Sequence, residues 1–197
     1  MQKFLLCFSG ALFLFLLAGC GHDLSQFQHL KTPEINEKPS RNMLVIELNG
    51  DPNTAGKQAF GQLFKVYYGL KKDHKSITGG PPRARWEGDF TASKDSWTGY
   101  YGMPLPDDVT VLPAKDQEIP GLRIERWKYG TVAEILHVGS YASERPTIEK
   151  LYHFIDSSGY QISGQHEEEY LKGPGMFFAG NPDKYQTIIR YEVRPKE

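Results

Sequence analysis

The run Gln165-His166-Glu167-Glu168-Glu169-Tyr170 gathers the side chains of this 197-residue chain best suited to chemistry: an imidazole, three carboxylates and a phenol. Two extended stretches, His166 to Leu171 and Tyr185 to Val193, flank a segment punctuated by Gly and Pro, the pattern of paired antiparallel strands. Side chains alternate faces along a strand, so His166, Glu168 and Tyr170 share one face while Glu167, Glu169 and Leu171 take the other. On the second stretch Thr187, Ile189, Tyr191 and Val193 form an apolar face opposite Gln186, Arg190, Glu192 and Arg194. A carboxylate among rings on the inner face of a sheet is costly unless something compensates it. Such an acid can neutralise a cation or hydrogen-bond a ligand. If burial raises its pKa, it can also act as a general acid or base near neutral pH.

Other chemistry has weaker support. His166-x-Glu168 matches half of a zinc-deaminase motif, but no Pro-Cys-x-x-Cys follows. His137, His153 and His166 read as separate histidines, and His22 with His29 as solvated ones, so no metal or other cofactor is expected. Ser140 lies in His137-Val138-Gly139-Ser140-Tyr141, which is not a Gly-x-Ser-x-Gly elbow. The Gly-Pro-Gly at Gly173 lacks the Lys-Ser/Thr of a phosphate loop.

The elements that must position Glu168 come as one unit written twice. Met43 to Leu48 reads as a strand, and Gly50 to Pro52 as a turn into a helix with Phe60, Leu63, Phe64 and Tyr67 at i, i+3, i+4, i+7. Two aromatic-rich runs, Arg83 to Phe90 and Ser96 to Met103, read as strands. The order then repeats: a strand from Thr131 to Val138, a helix carrying Ile148, Leu151, Tyr152 and Ile155 at the same spacing, and the two strands around Glu168. Leu63 follows Gly50 at nearly the distance by which Leu151 follows Gly139, which marks a duplication. Pro104 to Pro120 is a connector, and Gly121 to Tyr129 is expected to hairpin onto Thr131 to Val138 through Gly130. The fold class is therefore α+β: duplicated strand-helix-strand-strand modules, residues 43–103 and 121–197, forming an antiparallel sheet with both helices on one face. The other face, or the seam between modules, is expected to present a concave aromatic surface. It would carry Trp86, Trp97, Tyr100 or Tyr101, Tyr141, Glu168, Tyr170 and Phe177, with Trp127 as readily a core residue as a lining one.

The N-terminus supplies an address. Phe4 to Ala18 is apolar, follows Lys3, is short for a membrane span and ends in Leu17-Ala18-Gly19-Cys20. That tetrad resembles a bacterial lipoprotein lipobox, which implies cleavage of residues 1–19, a lipid on Cys20 and a chain held on the cell envelope. Gly21 after Cys20 would suggest the outer membrane in a Gram-negative host. Residues 20–42 read as a flexible polar tether, reaching about 25 Å as a coil, ahead of a domain spanning 43–197. Cys7 falls within the removed segment, so no cysteine remains for a disulfide or a thiolate nucleophile. Cleavage also removes Lys3 and leaves 22 basic against 24 acidic groups, a near balance that gives no footprint for nucleic acid. The mature length supports one sizeable core.

The phrases HVGSY from His137, ERPTIEKLYHFI, SGYQISGQHEEEYL and TIIRYEV together resemble the GyrI-like small-molecule-binding domains, which include effector-binding domains of AraC-type and multidrug-sensing regulators. The resemblance covers most of residues 43–197. It implies a pseudo-twofold pair of modules and a central pocket with a buried glutamate, which maps onto Glu168 with Tyr170 as its partner. The sequence departs from that pattern in the carboxylates at Glu167 and Glu169. No helix-turn-helix segment is present, so the regulator role does not carry over. The expected function is binding of a small aromatic or cationic molecule. The alternatives are hydrolysis of strained electrophiles, with Glu168 and Tyr170 as catalytic residues, and an envelope protein-interaction module.

Overall fold

The structure, a computed structural model, describes residues 23–87, 93–174 and 180–197. Its strands are β1 (Glu34–Lys38), β2 (Arg41–Asn49), β3 (Arg83–Glu87), β4 (Thr98–Leu105), β5 (Leu122–Trp127), β6 (Gly130–Val138), β7 (Tyr160–Lys172) and β8 (Gln186–Pro195), with helices α1 (Pro52–Asp73) and α2 (Arg145–Ser157). All eight strands form one sheet in the order β1-β6-β8-β7-β3-β4-β2-β5, with every neighbouring pair antiparallel.

The duplication is visible in that order. β6-β8-β7 mirrors β2-β4-β3 across the junction of β7 with β3, so a pseudo-twofold axis passes between those two strands. Residues facing the helices form a continuous row across the sheet, Ile46, Tyr101, Ala84, Glu168, Ile189 and Ile135, each in register with the next. α1 buries Ala55, Ala59, Leu63, Val66, Tyr67 and Leu70 on the half formed by β2, β3 and β4. α2 buries Leu151 and Ile155 on Ala133, Ile135, Ile189 and Tyr191 of the other half. Both helices therefore cover the same face. Phe60 and Phe64 of the sequence-predicted stripe are only half-buried, and Phe60 reaches Tyr170 of the other half.

Two expectations are corrected. The segment Leu122–Trp127 does not hairpin onto β6; it pairs with β2, although only Lys128 and Tyr129 separate it from β6. Likewise β1 pairs with β6 while only two residues separate it from β2. Three virtual Cα bonds span at most about 11 Å, yet β1 and β2 lie six strand spacings apart, about 29 Å along a flat sheet at about 4.8 Å each. The sheet must therefore curl until its ends approach, and Val132 of β6 duly packs with Met43 and Val45 of β2 beneath Trp127 and Tyr129. The second correction concerns residues 20–42. Leu24–Lys31 is a 3-10 helix and Glu34–Lys38 is β1, so this stretch is largely built into the fold. Leu30 is buried with Leu136 and Ile188 on the face opposite the helices, and that burial holds what composition alone reads as a leash.

The face inside the curl is filled by an ion network packed against Trp127 and Tyr129, not by the expected surface around Glu168. Arg85, Glu167, Arg190 and Glu134 form a cross-strand row of alternating charge. Arg190 bonds Glu134 at 2.9 Å, Glu167 at 2.6 Å and Glu169 at 2.9 Å. Arg83 reaches Glu169 at 3.1 Å, Arg85 reaches Glu167 at 2.6 Å, and Lys38 reaches Glu134 at 3.1 Å. Trp127 lies here, its ring 4.2 Å from the Arg85 guanidinium, and so fills the interior. Tyr100 shares this side and hydrogen-bonds Glu87.

Candidate functional site

β7 runs beside the pseudo-twofold axis and alternates its side chains as the sequence requires. Glu167 and Glu169 point into the arginine network, and Glu168 points to the helix face, where it is 8% exposed. The site is thus on the seam between the two halves, on the side the helices occupy. Glu168 Oε1 lies 2.9 Å from His166 Nε2, and His166 Nδ1 lies 2.5 Å from the Tyr191 hydroxyl. Tyr191 in turn meets the Tyr152 hydroxyl of α2 at 2.8 Å. This chain of polar groups leads from the acid to the surface, where Tyr152 is exposed.

Rings enclose the acid. Trp86 of β3 packs 5.3 Å from the His166 ring. Phe60 of α1 makes edge contacts with Tyr101 at 5.4 Å and with Tyr170 at 5.8 Å, and Tyr170 meets Tyr141 at 5.6 Å. The Phe60–Tyr170 contact joins the two halves across the seam. Two glycines make room: a Cβ on Gly99 would fall 2.6 Å from the Tyr101 ring, and one on Gly173 would fall 2.6 Å from the Tyr141 hydroxyl.

A residue that sequence reasoning overlooked completes the site. Glu144 immediately precedes α2, is 6% exposed and hydrogen-bonds Glu168. Burial, and then the charge and hydrogen bond of Glu168, raise its pKa far above the carboxylate range, so the paired carboxyls hold a proton at neutral pH. The signal was present: Glu144 extends the stripe of Ile148, Leu151 and Ile155 backwards by four positions, which places it on the buried side of the helix. Burial likewise lifts the phenols around Glu168, Tyr101 to about 12 and Tyr170 well above its usual value, with the Glu168 charge adding to both. Tyr141 is raised by the same two causes. These hydroxyls remain protonated and able to donate. Around the seam the buried Trp86 indole N–H lies beside the Tyr101 hydroxyl and the Thr187 hydroxyl beside the Glu144 carboxyl, each lowering its neighbour's pKa, while Glu144 Oε1 has no hydrogen-bond partner of its own. Buried polar groups in native proteins are nearly always satisfied by protein, water or a ligand.

The structure brings together Glu168, Tyr170, Tyr141, Trp86 and Tyr101. Trp97 is set apart, just before β4, where its carbonyl accepts from Gly50 and its ring joins the α1 core. Phe177 and Cys20 lie outside the described residues. A cavity of about 130 Å³ opens beside Arg85, Glu167 and Arg190, and a groove of about 290 Å³ opens beside Asn49, Thr54 and Asp95; Glu168 lines neither.

Residues 31–192 match the GyrI-like small molecule binding domain, and the chain belongs to this family. Its fold is similar to a structure described as a hydrolase from Listeria innocua, at 22% identity and TM-score 0.67, covering 83% of this chain and 92% of the other. It is also similar to an uncharacterized conserved protein from Listeria innocua, at 23% identity and TM-score 0.69, covering 83% and 93%. The EcmrR C-terminal domain aligns at 13% identity and TM-score 0.62, covering 83% and 98%. None of the curated proteins matches the chain.

Proposed function

We propose that this chain is a receptor for small organic cations, taken up between α1 and α2 onto Glu168 and held at a membrane surface by a lipid on Cys20. The observation that carries the reading is a contrast along three consecutive residues. Glu167 and Glu169 are each matched by arginines at 2.6 to 3.1 Å. Glu168 between them is also buried, yet among the described residues it has no Arg or Lys partner; its neighbours are His166, Tyr170 and a second carboxyl. A buried carboxylate ringed by Trp86, Tyr101, Tyr141 and Tyr170 lacks a permanent counter-charge, and a bound cation would supply one. A cation over an aromatic face gains up to about 2 kcal/mol when desolvated. The lipobox-like Leu17-Ala18-Gly19-Cys20 supports the anchoring. Among the described residues no helix is long and apolar enough to cross a membrane.

Titration calorimetry with a panel of aromatic cations tests the reading. Glu168→Gln should weaken the hits by about tenfold or more, about 1.4 kcal/mol, and unchanged affinity would retire it. A second reading, hydrolysis of a strained electrophile, is favoured by the raised pKa of Glu144 beside a second buried carboxyl, an arrangement that acid–base chemistry uses. Turnover of reactive electrophiles that disappears in the same Glu168 variant would decide for it.

A further inference from the structure

We propose that Glu144 and Glu168 form a single two-carboxylate receptor that takes amidinium or guanidinium cations in exchange for the proton the pair shares. The proposal rests on the reading of the seam as a cation site, and it names both the ligand chemistry and the ion exchanged. The two carboxyls come from different elements, β7 and the residue before α2. They meet in a buried position, with the Thr187 hydroxyl beside Glu144 and with Glu144 Oε1 left without a partner. A planar group with several N–H donors can bridge both carboxyls and satisfy that oxygen, as bidentate pairs do. A quaternary ammonium has no N–H to offer. It can balance the charge on Glu168 but cannot compensate a second ionised carboxylate, so the proton stays.

The step balances. The pair begins with one proton and a net charge of −1, and the amidinium brings +1. In the complex both carboxylates are ionised and hydrogen-bonded to the ligand, and the proton passes to solvent.

The surrounding groups favour this exchange. On β7 the titratable neighbours are His166 and Tyr170, and on β8 they are Tyr191 and the unionised Thr187. The turn before α2 contributes Tyr141, β4 contributes Tyr101, and Asp51 at the head of α1 acts on Tyr101. Among the described residues none of these groups is a Lys or Arg, so nothing permanent competes for the second negative charge. His166 also contacts Glu168, and the test must separate its part from that of Glu144.

The experiment is calorimetry on the full chain purified in detergent, titrated with benzamidine and with benzyltrimethylammonium in buffers of different ionisation enthalpy. Benzamidinium binding should release about one proton near pH 7 and tighten by close to tenfold per unit as pH rises from 6 to 8. Benzyltrimethylammonium should release none. In Glu144→Gln the proton release should vanish and benzamidinium should bind at least about tenfold more weakly. Buffer-independent benzamidinium binding in the unmodified chain overturns the proposal, as does release that persists in Glu144→Gln, which would place the proton outside the carboxyl pair. If only the quaternary cation binds, the exchange is refuted and the cation-receptor reading stands. If neither binds, both fall.

Discussion

Glu144 stays protonated where an exposed glutamate would be charged, and this has a consequence for stability. A carboxyl whose folded pKa is raised is ionised in the unfolded chain, and still neutral in the folded one, at any pH between the two values. Folding is therefore opposed above about pH 4.3, the ordinary glutamate value, and the opposition grows until the raised folded pKa is reached. Below pH 4.3 both states are protonated and the effect vanishes. Glu144→Gln keeps the shape and removes the titration, so it should raise Tm by a few degrees at pH 8 and leave it nearly unchanged at pH 4. Thermal melts at the two pH values check this, and an equal shift at both would show that the carboxyl is not titrating in this way. A residue that costs stability in the resting protein, with one carboxyl oxygen left unsatisfied, is what a site shaped for a ligand looks like.

At the scale of elements, β7 serves two chemistries at once because its side chains alternate. Its inner-face carboxylates are tied to Arg83, Arg85 and Arg190. Burial pushes the pKa of Glu169 up, but the charges of Arg83 and Arg190 more than offset this and hold it below the carboxylate range; Arg190 and Lys38 do the same for Glu134. The stability these groups give is present above about pH 4.3 and is lost as pH falls through their depressed values. Arg190 is 2% exposed and contacts three glutamates. Arg190→Ala strands those charges, and removing one partner of a buried pair costs about 3 to 5 kcal/mol. Urea unfolding at pH 7 should show a loss of that size. A loss under about 1 kcal/mol would mean the network behaves like a set of surface pairs. The same network pins the register of β7 against β3 and β8. A slip of one residue would turn Glu168 into the arginines and bring Glu167 and Glu169 among the rings.

At the scale of the whole molecule, the folded region begins close to the proposed lipid. Asp23 caps the first 3-10 helix through a 2.9 Å bond from Ser25, and four virtual bonds separate Cys20 from Leu24. That length spans at most about 15 Å, so a lipid on Cys20 would hold the domain against the bilayer rather than on the longer leash the composition suggested. Cys20→Ser should move the protein from the membrane to the soluble fraction, with the Tm of the folded domain unchanged. Fractionation with lipid labelling checks this, and a variant that still sediments with membranes would refute the anchor.

Much of this was legible in the sequence because it depends on periodicity. Alternation along β7 put Glu168, His166 and Tyr170 on one face, the 3.6-residue stripes found both helices, and the repeat of the unit found the two halves. The resemblance to GyrI-like domains pointed to the same acid. Pairings between distant segments were not legible. Which edge β1 and β5 join, and hence the closure of the sheet, depends on contacts such as Val132 with Met43, which no local pattern records. The partner of Glu168 is of the same kind: Glu144 lies 24 positions away and becomes its neighbour only when α2 docks across β7 and β8. Local chemistry determined which side chains share a surface, and long-range packing decided which surfaces meet.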